Sequence, residues 1–398
     1  MRRLGERTGY CTKHGANLPS VREKIGKTAP KRLTLKDARS TSGFPISLTS
    51  AFSQHMTGYD IIGDIHGHAD ALHRLLDTLG YETVDGVRRH PEGRRVVFLG
   101  DFIDRGPDIR GVLHTVRSMR QAGSAFAVMG NHELNALHYQ TYDEATGKWL
   151  RSHSEGHLRQ FRATLEQLTD DLDDWLAWMR TLPVWLKLTD EAGVTLRFAH
   201  AAWDEAGMRR LYESPTAEGR KRFEGPFEAP VLTEAGLYDF GRRRDPVTGK
   251  TPCGYKMKER ILTGPETPLP DTMAYLDKEG TRRTHARVRW WQTPDAQTTL
   301  ADMVMAGAGS RELLRQNGGD VPFLSLRRKK PFVATPVEGL TFVGHYWLDP
   351  SEVGPLTDRL ACLDYSVARG GVLAAYRHRR GDTRLDPERF VVVPAQLQ

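Results

Sequence analysis

The chain has 398 residues, 57 Lys and Arg against 50 Asp and Glu, 39% hydrophobic residues and a mean hydropathy of -0.52. At roughly 100 to 200 residues per domain this allows two or three domains, or one large one with insertions. No run of about 18 uncharged apolar residues occurs, which excludes a membrane-spanning helix, and Cys11, Cys253 and Cys362 are too few and too far apart for a disulfide-stapled scaffold. A reducing, cytoplasmic setting is expected, and Arg2 and Arg3 precede no continuous apolar stretch of the kind a secretory signal needs.

The formal net charge of +7 is unevenly distributed. Residues 1–55 hold 11 basic and 3 acidic side chains, so the rest of the chain is nearly neutral. This front segment is rich in Ser, Thr, Lys and Arg and has no helical or strand period, so it reads as a disordered basic tail. Specific nucleic-acid binding is not expected from a field confined to such a tail. The domain is expected to span 56–398 and could begin at Met56, directly before the first strand-like run.

From residue 59 to about 134, short apolar runs alternate with amphipathic stretches, the pattern of an α/β protein. Strands are predicted at Tyr59–Ile62, Arg95–Leu99 and Ala125–Met129, each followed closely by a polar residue after Gly: Asp64, Asp101 and Asn131. Leu72, Leu75, Leu76 and Leu79 recur at helical spacing after the first strand. Pro107 and Asp108 suit the start of a second helix carrying Val112, Val116 and Met119. Residues 158–188 read as helical, with Trp175 and Trp178 as core, and a strand at Val194–Ala199 then delivers His200. Residues 206–335 are rich in Gly, Pro and charge, with weak periodicity, and read as an insertion or cap. Strands return at Leu340–Val343, Leu360–Leu363, Val372–Tyr376 and Phe390–Val393.

The polar residues thus gather at carboxyl ends of strands, the edge where open α/β sheets bind ligands. Asp64, His66, Asp101, Asn131, His200 and His345 offer the mixture of carboxylate, amide and imidazole that suits manganese, iron or zinc better than calcium. Singly, each is more often a turn former, helix cap or ordinary core residue. Several strand ends carrying the same pattern make a metal site the better reading. Two cations about 3.5 to 4 Å apart need a bridging carboxylate, and Asp101, on the central segment of the first three, is the natural bridge.

Gly63-Asp64-Ile65-His66-Gly67, Gly100-Asp101-Phe102-Ile103-Asp104-Arg105-Gly106 and Gly130-Asn131-His132-Glu133 resemble the three signature blocks of the calcineurin-like metallophosphoesterases. The likeness is to the phosphoprotein phosphatase branch, which includes bacterial Ser/Thr phosphatases and symmetrical diadenosine tetraphosphate hydrolases. His200 and Gly344-His345 resemble its two later histidine blocks. The resemblance implies a β-sandwich core flanked by helices, with a variable insertion. It implies that Asp64, His66 and Asp101 hold one divalent cation, and Asp101, Asn131, His200 and His345 a second. It makes His132 the general acid, Asp104 its orienting partner and Arg105 the phosphate clamp. The implied partner is a phosphorylated substrate, either a phosphoprotein or a nucleotide, and not a membrane.

The chain departs from the family pattern where Tyr346 and Trp347 follow His345 and where Ala201-Ala202-Trp203 follows His200. Trp203, Tyr346 and Trp347 could therefore wall the metals and stack a ring. A second phosphate-binding arginine has several candidates: Arg159, Arg242, Arg243, Arg287 and Arg289. The run from Arg282 to Trp291 could line a groove for a polyanion. The alternative outside enzymology is a basic-tailed binding protein with a structural metal site.

Overall fold

The alternating strand pattern resolves into two β-sheets packed face to face, in a computed structural model that describes residues 57–270, 273–276, 282–305, 314–326, 334–335 and 337–396. The expected basic tail at 1–55 lies outside the described residues. In chain order the principal elements are β1 (Gly58–Ile62), α1 (Ala69–Thr78), β2 (Arg95–Phe98), α2 (Ile109–Gln121), β3 (Ala125–Ala127), α3 (Asn131–Tyr139), α4 (Glu155–Leu168) and α5 (Leu172–Met179). They continue with β4 (Trp185–Thr189), β5 (Thr195–Ala199), β6 (Leu340–Val343), β7 (Leu360–Cys362), β8 (Asp364–Tyr365), β9 (Val372–Arg379) and β10 (Phe390–Pro394).

The first sheet runs β8-β9-β1-β2-β3, with β10 also paired to β9. Its β1, β2 and β3 are parallel, and β9 is antiparallel to β1. The second sheet runs β7-β6-β5-β4, parallel except for β4 on its edge. Strand periodicity sorts the side chains between two layers. Tyr59, Ile61 and Val97 meet Leu186, Phe198 and Phe342 between the sheets. Ile62, Val96 and Phe98 face the other way, onto Leu72 and Leu75 of α1 and Val112 and Val116 of α2. The result is the expected α/β class built as a sandwich flanked by helices.

Local chemistry ends these elements where the sequence suggests. Asp108 caps α2 by accepting from Gly111 N–H at 2.7 Å, and Ser154 caps α4 through His157 N–H. The helix predicted over 158–188 needs correction: it divides into α4 and α5, and Trp185–Leu188 belong to β4, laddered against β5. Pro183 has no N–H to continue a helix and favours extended backbone before it. Trp175 and Trp178 are core, as expected.

One buried charge network fixes the start of β1. Asp60, fully buried, accepts from Arg94 Nε at 2.9 Å and Nη2 at 2.8 Å, from Tyr81 Oη at 3.0 Å and from Arg377 Nε at 3.2 Å. Arg94 Nη2 also reaches the carbonyls of Tyr59 and His378, tying β1 to β9. Between β5 and β6 the chain forms helices at Glu205–Glu213, Glu234–Gly241 and Cys253–Ile261, and a small core of Leu269, Ala286, Val288, Leu300, Met303 and Phe323. Such short elements explain the weak periodicity of that stretch. Among the described residues no helix is long and apolar enough to cross a membrane.

Candidate active site

Every one of the nine residues singled out in the sequence lies on a loop or helix start at the carboxyl end of a strand: Asp64 and His66 after β1, Asp101, Asp104 and Arg105 after β2, Asn131 and His132 at the start of α3, His200 after β5 and His345 after β6. Among the described residues eight non-glycine residues have positive φ, and six of them belong here: His66, Asp101, Asp104, Arg105, His345 and Trp347. Such conformations cost of order 1–3 kcal/mol each and persist only where the surroundings enforce them. Gly344 shows how tight the enclosure is, since a Cβ there would stand 2.0 Å from Asp64 Oδ1.

Asp101 is the centre. His66, Asp101 and His132 form one group, and Asp101, His200 and His345 another, each with ligand atoms within 4.8 Å of one another. Asp101 Oδ2 stands 3.3 Å from His200 Nε2, 3.6 Å from His66 Nε2 and 3.8 Å from His132 Nε2. His66 Nδ1 donates to the Ile103 carbonyl at 2.9 Å and His200 Nδ1 to the Leu99 carbonyl at 2.8 Å, which turns each Nε2 inward. Asn131 Oδ1 lies 3.0 Å from His200 Nε2, and His345 Nδ1 lies 3.3 Å from it. Asp64 belongs to neither close group. It borders the second one, with both carboxylate oxygens accepting from His345 N–H at 3.2 Å.

The donors fit divalent cations. Nε2 of His66 and of His345 are buried without a hydrogen-bond partner, a costly arrangement for lone pairs unless something binds them. Burial pushes His66 down to about 3 and His345 well below the ordinary imidazole range, so both are held neutral, as ligands must be. Burial raises Asp64 far above the carboxylate range, and the neighbouring Asp364 adds to this. His200 goes the other way. Burial alone would lower it, but Asp101 and Asp64 lift it to about 10. The pocket therefore calls for positive charge.

His132 differs from the other histidines. Its Nδ1 pairs with Asp104 Oδ2 at 2.6 Å, and Asp104 Oδ1 is itself held by the Thr164 hydroxyl. Although burial opposes it, the charge of Asp101 and the bond to Asp104 raise its pKa. That suits a group which carries a proton better than one which surrenders its lone pair, despite its place in the first close group.

Three further residues support the site. Glu133, fully buried, accepts from the N–H groups of Asp101, Phe102 and Gly130 at 2.8–2.9 Å and stitches the β2 loop to α3. Its place three residues after the helix cap is the signal that could have found it. Asp364, the first residue of β8, accepts from Trp347 N–H at 2.8 Å and bears on Asp64. It too follows a strand-like apolar run, the pattern that marked the other ligands. Arg287 is the candidate second arginine whose charge reaches the centre: after burial, it is what most depresses His345.

The aromatic-wall expectation is corrected in two of three places. Trp203 and Tyr346 are buried in the main core, and Tyr346 Oη donates to the Ala201 carbonyl at 2.8 Å. Only Trp347 borders the mouth, and its ring has arginine guanidiniums over it. The groove expected along Arg282–Trp291 is corrected at Trp290, which is buried and helps fill the core.

The sandwich, its strand-end donors and the Asp104–His132 pair accord with a match to a known family. Residues 59–225 match the family model described as calcineurin-like phosphoesterase. It is 47% identical over 74 residues to bis(5'-nucleosyl)-tetraphosphatase PrpE [asymmetrical] of Halalkalibacterium halodurans, covering 19% of this chain and 30% of that protein. The protein of the same name from Bacillus subtilis is 46% identical over 74 residues, with the same coverage. The match thus spans about a third of the length of these relatives. A cold-active protein-tyrosine phosphatase of a psychrophilic Shewanella is 16% identical, with a TM-score of 0.39 over 86% of this chain and 81% of that one.

Proposed function

We propose that the chain is a metal-dependent phosphoesterase. The observation that carries this is Asp101, whose carboxylate stands between two histidine groups that want cations. Asp64, His66 and Asp101 would hold one ion, and Asp101, Asn131, His200 and His345 the other. Manganese, iron and zinc suit these nitrogen and oxygen donors. When bound, two such ions supply a water acidic enough to ionise near neutral pH and neutralise the phosphate it attacks.

The protein's own groups supply the rest. Arg105, exposed at the mouth, offers a planar fork to two non-bridging oxygens. Arg287 adds positive charge on the His345 side. His132 gives its proton to the leaving oxygen, and Asp104 fixes the ring and favours its charged form. We read 206–335 as the cap over this centre and Met56 as the domain's start, in a cytoplasmic enzyme. The substrate is a phosphoprotein or a nucleotide; symmetrical cleavage of a dinucleoside polyphosphate is the second reading, while the PrpE relatives are named for asymmetrical cleavage.

The test is turnover of p-nitrophenyl phosphate by metal-stripped protein with and without added manganese. Restored turnover in the parent and none in Asp101→Asn is the expected result. An absence of metal-dependent turnover on any phosphoester would favour the binding protein instead.

A further inference from the structure

Arg105 has company at the mouth. Its guanidinium carbon lies 4.5 Å from the centroid of the Trp347 ring, and that of Arg369 lies 3.8 Å from the same centroid. The Trp347 ring is in turn 6.1 Å from that of His66, so the pair borders the metal ligands. Both arginines are exposed, and Trp347 is half-buried.

The arrangement is built into the fold. The two carboxylate oxygens of buried Asp364 accept from Trp347 N–H at 2.8 Å and Ser366 N–H at 3.1 Å. Leu348 N–H donates to the Asp364 carbonyl at 2.9 Å, and Ser366 Oγ to the Leu348 carbonyl at 3.2 Å. Trp347 and Ser366 are held in left-handed backbone, φ 54° and 63°. The short helical turn Val367–Arg369 starts directly from Ser366. One carboxylate therefore fixes both the indole and the turn that presents Arg369.

Each guanidinium is attracted by the indole, which gathers two positive charges at the mouth. An anion with two charged groups can engage both. A lone monoester phosphate needs only Arg105, whereas a phosphoryl group further along an anhydride chain can reach the second fork. We infer that Arg369 binds a second phosphoryl group of a polyphosphorylated substrate, with the Trp347 ring packed against both arginines. This rests on the phosphoesterase reading above and names its substrate class as a phosphoanhydride chain.

The experiment titrates inorganic tripolyphosphate and orthophosphate into the manganese-loaded full chain, its Arg369→Ala variant and Arg369→Lys. The parent is expected to prefer tripolyphosphate. Arg369→Ala should lose about tenfold or more in tripolyphosphate affinity, and clearly less for orthophosphate, as for a lost charge-assisted hydrogen bond. Arg369→Lys should recover only part of it, since an ammonium lacks the fork. Equal losses for both anions, or an unchanged preference, would overturn the inference. Turnover of p-nitrophenyl phosphate is measured in parallel. A chain that shows the Arg369-dependent preference but no turnover supports the subsite and rejects the hydrolase reading.

Discussion

Asp60 lies within β1 and Asp64 just beyond it, and both side chains are buried. Their surroundings are opposite. Asp60 is fully answered by two guanidiniums and a tyrosine hydroxyl. Asp64 is crowded by Asp364 and Asp101, and beside it His66 and His345 keep buried nitrogens without partners. A buried carboxylate that is completely paired holds a fold together, whereas a cluster left with excess negative charge and spare lone pairs is prepared for something the chain does not itself supply. One strand thus carries a structural network at its start and a reactive one past its end.

The largest effect expected of that division concerns the reactive end. His132→Ala should slow hydrolysis of an alkyl phosphate by roughly 10² to 10⁴, and of p-nitrophenyl phosphate by much less, because only the poor leaving group needs the proton. Steady-state rates on the two esters check this, and an alkyl phosphate cleaved at the parent rate would remove His132 from its role. Next comes stability. Asp60→Ala strands the Arg94 charge and should cost about 3–5 kcal/mol, whereas Asp64→Asn should leave the metal-free chain no less stable, since burial and Asp364 oppose the Asp64 charge. Urea unfolding of the two variants with chelator present decides it. Equal losses would erase the distinction between the two ends.

The smallest effect separates a structural histidine from those of the candidate metal centre. His138, buried with its Nε2 on the Leu237 carbonyl at 3.1 Å, is pushed down to about 3, first by burial and then by Lys258. The unfolded chain takes up this proton near the ordinary value of about 6.5, the folded chain only far lower. The unfolded state therefore binds more protons in between, and stability falls as pH drops below that ordinary value, by up to about 1.4 kcal/mol per pH unit. His138→Gln should flatten that slope in unfolding measured between pH 7 and pH 5.5, with metal or without. An unchanged slope would mean the proton uptake belongs elsewhere.

Much of the site was legible because its residues stand directly behind apolar strand runs, often after Gly, where the chain must leave the sheet at its ligand-binding edge. Asp64, Asp101, Asn131, His200 and His345 are all placed in this way. Asp364 carried the same local mark, and Glu133 that of a helix cap, but not their purpose, which depends on which N–H groups other segments bring to them. The strand at Trp185–Leu188 was hidden because an apolar run of that length fits either period, and only β5 beside it decides.

The sequence alone determined the alternation of strands and helices and the identity of the candidate ligands, because side-chain period and turn chemistry are local. Tertiary structure decided that β6 pairs with both β5 and β7, bringing His200, His345 and Asp364 to one edge. It also decided which arginines reach that edge, Arg105, Arg287 and Arg369 among many on the surface. Long, flexible cations carry no period, so only the packed loops around Trp347 and His345 distinguish them.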